Sequence, residues 1–102
     1  MTGQANYRDP VRAPQGLYPC RDGAWLAISA GTDAEWAALC ALLGRPDLAA
    51  DPRYAGNLSR QAHHDEIDDI IRAWTGKSAA LALEFTLQAA GIPVSMALPP
   101  GA

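Results

Sequence analysis

The chain has 102 residues, of which 49% are apolar and 19% are charged, and its net charge is −3. This length predicts one domain with one core, and the composition excludes an intrinsically disordered chain. The eight basic residues are scattered, which argues against a nucleic-acid partner, and the longest apolar run, residues 36–43, is far shorter than the ~20 residues of a membrane span.

The first 14 residues contain two X-Pro pairs, Asp9-Pro10 and Ala13-Pro14, and little apolar periodicity. This pattern predicts an extended arm or connector. The segment also has no apolar stretch of the kind that a secretory signal requires, so we expect a cytoplasmic location.

Two short segments, residues 15–20 and 24–30, are rich in aromatic and aliphatic side chains and are separated by Arg21-Asp22-Gly23. An Asp-Gly pair between such segments favours an antiparallel β-hairpin, because the turn needs positive φ. Strand alternation divides the second segment into two faces. One face carries Ala24, Leu26, Ile28 and Ala30, and the other carries Trp25, Ala27 and Ser29.

A first helix is predicted after Gly31, because Thr32 and Glu35 are spaced as a capping box. Its apolar stripe consists of Trp36, Leu39, Cys40 and Leu43. Gly44 favours the end of the helix, since glycine suits the left-handed position after a helix. The connector over residues 46–56 is rich in turn formers, and its first residues are compatible with one helical turn.

A second helix is expected to run from a cap at Asn57 to Gly76, and a third from a cap at Ser78 to Gly91. The second carries the apolar stripe Ile67, Ile70, Ile71 and Trp74, and the third carries Leu83, Leu87 and Ala90 with Phe85 at its edge. The β-prone composition of residues 92–98 predicts a short third strand, which continues into a tail at 99–102.

These elements predict an α+β domain over residues 15–98, in which a small antiparallel sheet, formed by the hairpin and a short third strand, packs with three main helices. We expect the three tryptophans, Trp25, Trp36 and Trp74, in its core. Cys20 and Cys40 are interpreted as small buried hydrophobic residues.

The run His63-His64-Asp65-Glu66 contains residue types that bind metal ions. Adjacent helical positions diverge by about 100°, so these side chains cannot converge on one ion, and we predict no metal site. The run is interpreted as a solvated acidic face near a helix N-terminus.

Four landmarks occur in order along the chain. They are APQGLYPCRDGAW at residues 13–25, WAALCALLGRPDL at 36–48, DPRY at 51–54 with Arg60, and AAGIPV at 89–94. Together they resemble the small domain of the class III CoA-transferases, the CaiB/BaiF group, over about residues 9–98.

The resemblance implies that the chemistry takes place elsewhere. In this family the catalytic aspartate and most CoA contacts belong to a larger Rossmann-like domain, and subunits are interlocked dimers in which the small domain closes over the partner chain's active site. We therefore predict no catalytic residue here and no acyl-CoA transfer by the isolated chain. A CoA thioester is the implied substrate, without a covalently bound cofactor, and the implied partner is a Rossmann-like large domain or a second copy of the chain.

A glycine-rich loop of the transferase branch corresponds to Gln15, Gly16, Leu17 and Tyr18, which are predicted to contact substrate as part of a lid. Glycine lets a backbone N–H approach a carboxylate closely, but this segment has only one glycine. The alternative interpretation of Gly16 is that it simply begins the first strand.

The predicted function is the lid domain of a class III CoA-transferase or acyl-CoA racemase-like protein, and the alternative function is a stand-alone, non-catalytic module for binding or oligomerisation.

Overall fold

The computed structural model describes residues 13–97, so the predicted arm, apart from residues 13 and 14, and the predicted tail lie outside the described residues. Three strands and five α-helices occur within this range. The strands are β1 (Gln15–Pro19), β2 (Trp25–Ser29) and β3 (Val94–Ala97). The helices are α1 (Asp33–Leu42), α2 (Pro46–Ala49), α3 (Asn57–Ala62), α4 (His64–Thr75) and α5 (Ala80–Ala89), with a 3₁₀ turn at Pro52–Tyr54.

The sheet has the order β1-β2-β3 and is antiparallel throughout. Leu17 pairs with Ala27, and Ala27 pairs with Ser95 on the other side of β2. Gly23 adopts φ 85° in the turn between β1 and β2, which confirms the hairpin that Asp-Gly predicted. The α+β fold class is therefore confirmed.

The core lies between the sheet and the helices. The predicted inner face of β2 is confirmed, since Leu26 and Ile28 are buried there. The helices contribute Trp36, Leu39, Cys40, Ile67, Ile71, Leu83 and Leu87 to the same cluster, and Trp74 packs against it. Trp25 is half-buried on the opposite face of the sheet, so its predicted core position is wrong.

The predicted second helix is interrupted. It ends at Ala62, and α4 begins at His64 after His63 adopts φ −117° and ψ 26°. The Nδ1 atom of His63 lies 3.0 Å from the Ser59 carbonyl oxygen, which in a continuous helix would accept the His63 amide. That amide bonds instead to the Arg60 carbonyl at 3.1 Å, so Nδ1 of His63 occupies the position beside Ser59 that a helical amide would take.

Two predicted helix caps are also different. Asn57 is the first residue of α3, and its Oδ1 accepts the Ala13 amide at 2.9 Å. Ala79 precedes α5 in place of Ser78, and the Ala80 amide donates to Asp22 Oδ2 at 3.4 Å. A carboxylate from the hairpin turn thus faces the N-terminus of α5, where a negative charge is favourable.

No helix within residues 13–97 combines the length and the apolar character that crossing a membrane would require.

Candidate functional site

The predicted site residues lie in β1, and the strand's alternation separates them. Gln15 and Leu17 project from the outer face of the sheet, opposite the core. Tyr18 projects inward and is buried, so in this domain a ligand could reach Tyr18 only through its main chain. Gly16 belongs to the strand, and a Cβ at this position would lie 3.2 Å from the Tyr18 hydroxyl. Glycine therefore leaves room for the tyrosine ring.

A recess of about 410 Å³ lies on the outer face of the sheet, and we call it the outer-face recess. It is lined by Gln15, Gly16, Ala27, Ile28, Ser29, Pro93, Val94 and Ser95. None of these lining residues is charged, and the polar side chains are one carboxamide and two hydroxyls. Such a surface can contact neutral amide groups and apolar chains, but it offers no group that ionises near neutral pH.

Behind β1 lies a cluster of buried polar side chains. The Tyr18 hydroxyl donates to Asp68 Oδ1 at 2.7 Å, and His64 Nε2 lies 3.5 Å from the same oxygen. His64 Nε2 also accepts the Gln15 amide at 3.3 Å, which connects this cluster to the edge of the outer-face recess. His64 and Asp68 are only 8% and 2% exposed.

The interpretation of the histidine–acid run as a solvated helix face is therefore wrong for His64, although Asp65 and Glu66 are exposed. His64 lies three residues before the buried Ile67, at a position that continues the apolar stripe of the helix toward its N-terminus. That spacing was the sequence signal that could have predicted the burial of His64. Within residues 13–97, no three potential metal-ligating side chains converge.

Arg60 is a buried cation at the start of the sheet, with an exposed fraction of 1%. Its Nε donates to the Ala13 carbonyl at 2.8 Å, and Nη1 donates to the Tyr54 carbonyl at 3.2 Å. Its Nη2 donates to the Gly31 carbonyl at 3.1 Å and lies 3.1 Å from Asp33 Oδ1. The planar guanidinium thus joins three main-chain segments and fixes the entry into β1.

The two thiols are poor nucleophiles in this fold. Burial, reinforced by the charge of Asp47, raises the pKa of Cys40 to about 11, and burial with the charge of Asp22 raises the pKa of Cys20. Both remain protonated near neutral pH, and a protonated thiol is not the reactive form. Residues 13–97 therefore form an uncharged recess and contain no activated thiol.

Comparison with known proteins identifies the class of this domain. The family model described as CoA-transferase family III matches residues 1–101. The chain belongs to this family, and it corresponds to a single small domain of a class III CoA-transferase.

The relatives are much longer than this chain. Succinyl-CoA--D-citramalate CoA-transferase of Chloroflexus aurantiacus is 39% identical over 84 residues, which cover 82% of this chain and 21% of that protein. Probable CoA-transferase Rv1866 of Mycobacterium tuberculosis is 36% identical, with 81% of this chain and 11% of that protein covered. The crystal structure of a CAIB/BAIF family protein from Brucella suis superimposes with a TM-score of 0.79 at 29% identity, covering 85% of this chain and 23% of that one.

Proposed function

We propose that this domain covers the active site of a CoA-transferase or acyl-CoA racemase-like protein, and that the reacting carboxylate lies in a part of the enzyme other than these 102 residues. The observation that carries the proposal is that the family match covers nearly all of this chain but only a small part of a relative. The family model matches residues 1–101, yet the chain spans only 21% of the D-citramalate CoA-transferase relative. The substrate would be a CoA thioester, with no covalently bound cofactor.

The outer face of the sheet is the surface that we assign to this covering role. Gln15 and Leu17 lie there, together with the main chain of Gly16, on a strand whose entry is held by the buried Arg60. A covering surface acts by excluding water and by holding the substrate in one geometry, and neither task requires an ionisable group. An uncharged recess on a rigidly held sheet suits that task. The partner would be a Rossmann-like large domain in the same chain or in a second one.

A domain exchange tests this assignment. The matching 84-residue segment of the Chloroflexus enzyme is replaced by the corresponding segment of this chain, and succinyl-CoA-dependent transfer is measured. We expect the hybrid to turn over and the isolated chain to be inactive. An inactive but folded hybrid, or turnover by the isolated chain, contradicts the proposal.

A matched pair of substitutions in the hybrid identifies the surface. Ala27→Phe fills the outer-face recess, and we expect kcat/KM to fall at least tenfold, equivalent to about 1.4 kcal/mol. Ala37→Phe makes the same change at an exposed position on α1, outside the recess, and should leave kcat/KM unaltered. Equal effects of the two substitutions would exclude the outer face as the covering surface. Thermal unfolding checks that both variants are folded.

A second candidate function is a binding or oligomerisation module without catalysis. It is favoured by the outward surface of α5, where Leu81 and Phe85 are 70% and 75% exposed. Large apolar side chains grouped at a surface mark contact with another apolar surface. Under this proposal, the partner of the α5 surface is a second copy of the chain.

A further inference from the structure

Among residues 13–97, two polar neighbours of His64 Nε2 require opposite protonation states. The Gln15 amide, at 3.3 Å, can only donate, so it needs a lone pair on Nε2. Asp68 Oδ1, at 3.5 Å, can only accept while ionised, so it needs a hydrogen on Nε2. One ring nitrogen carries either the lone pair or the hydrogen, so it can satisfy one of these two neighbours at a time.

Because His64 is buried, an unsatisfied hydrogen-bonding neighbour is costly. His64 and Asp68 are shielded from water, and Asp68 Oδ1 is held in place by the Tyr18 hydroxyl at 2.7 Å. In such surroundings a hydrogen bond is stronger than at the surface, and an unsatisfied donor is more costly. The loss or gain of one proton at His64 therefore decides which neighbour is bonded.

The charged and titratable groups around His64 in residues 13–97 come from three elements. They are Asp68 on α4, which lies 3.5 Å from Nε2, and Tyr18 on β1, which bonds to the same Asp68 oxygen, while Asp65 and His63 are adjacent to His64 in sequence and Arg60 lies four residues earlier on α3. The Arg60 guanidinium donates to three main-chain carbonyls and lies beside Asp33. Asp68 is therefore the anionic partner that protonated His64 would gain.

We propose that His64 is a positioning residue of β1 with two states. Neutral His64 accepts the Gln15 amide and fixes the first residue of the strand. Protonated His64 donates to Asp68 and releases that amide, which frees the edge of the outer-face recess. The exchange moves one proton from solvent to Nε2 and breaks no covalent bond. An imidazole in water titrates near pH 6.5, and this value sets the pH range in which the exchange is sought.

The effect of this exchange on ligand binding rests on the proposed covering role, but the exchange itself does not. It is tested on the whole chain by nuclear magnetic resonance between about pH 5 and pH 8. The Gln15 amide proton and the ring proton on Cε1 of His64 are followed together. We expect the Gln15 amide resonance to move upfield on acidification with the midpoint of His64. Its hydrogen exchange, corrected for the intrinsic effect of pH, should rise about two- to tenfold, as expected for the loss of one hydrogen bond.

Three variants make the assignment specific. His64→Gln places a carboxamide oxygen near the former Nε2, so the Gln15 amide should stay bonded and show no titration. His64→Leu removes the acceptor, so the Gln15 amide should resemble the acid form at every pH. His63→Gln is the matched control on the adjacent residue, and it should leave the Gln15 curve unchanged.

The proposal is overturned if the Gln15 amide keeps its titration in His64→Gln, or if it follows the midpoint of His63. It is also overturned if His64 stays neutral down to about pH 5, or titrates while the Gln15 amide stays fixed. Should His64→Leu fail to fold, His64→Gln and the wild-type chain still decide the question. No CoA or enzyme activity enters this test, so its failure would leave the covering role unaffected.

Discussion

Strand β2 and helix α5 both give one face to the core, but their outward faces differ. The outward face of β2 carries Ala27 and Ser29 in the outer-face recess, with the half-buried Trp25 at the other end of the strand, whereas that of α5 carries the exposed Leu81 and Phe85. Small and hydroxyl side chains leave space beside a sheet, and large apolar side chains in water gain by contact with another apolar surface. We infer that β2 faces a small molecule and that α5 faces a protein.

The largest expected effect on stability comes from the core, which both β2 and α5 face. Leu26→Ala removes a fully buried side chain of β2, and we expect the free energy of unfolding to fall by about 2–5 kcal/mol. Leu17→Ala makes the same change on the outer face of β1, where the side chain is half-buried, and should cost only about 1 kcal/mol. Urea unfolding followed by circular dichroism measures both. Similar losses would mean that the outer face is as well packed as the inner one.

An effect in the lower half of that range should appear at alkaline pH. Burial raises the pKa of Cys40 from 9.0 to about 11, so the unfolded thiol ionises before the folded one. The contribution of Cys40 is therefore complete below about pH 9 and is lost as pH rises toward 11. It amounts to about 3 kcal/mol for a shift of two pKa units. Unfolding free energies measured from about pH 8 upward test this.

Cys40→Ala is the control for the alkaline loss, since it removes the titrating thiol. Part of the loss should persist in this variant. Burial and the hydrogen bond to Glu66 raise the pKa of Tyr54, and burial raises that of Cys20, so both act in the same direction. A decline as steep in Cys40→Ala as in the unaltered chain would show that Cys40 is not the group responsible.

The two elements also differ in how well the sequence predicts them. In β2, strict alternation after an Asp-Gly turn identifies the buried Leu26 and Ile28, because a strand has only two faces. In α5, apolar residues occur all around the helix, so its periodicity does not show that Leu81 and Phe85 stay outside. The sequence resemblance indicated Gln15 and Gly16, but the recess that they line could not be predicted, because it requires the pairing of β2 with β3, which lies far along the chain.

Buried polar groups limited prediction at the site as well. The break at His63 coincides with a side-chain contact to the Ser59 carbonyl, which no periodicity reveals. His64 and Asp68 are polar residues on a buried helix face, and their burial depends on partners in β1, such as Tyr18. The family landmarks included Arg60, but its role in joining three segments appears only in three dimensions.

The smallest expected effect on stability comes from substitutions on the α5 surface, which lies outside the recess. Leu81→Ser combined with Phe85→Ser changes only exposed side chains, so the unfolding free energy should stay within about 1 kcal/mol of the unaltered chain. If α5 contacts a second copy, light scattering should show an oligomer for the unaltered chain and a monomer for this variant. Leu58→Ser changes a leucine on α3 that is even more exposed, at 81%, and should leave the oligomer intact. A monomeric unaltered chain would refute self-association through α5. Its apolar side chains would then lie in water with no second copy to cover them.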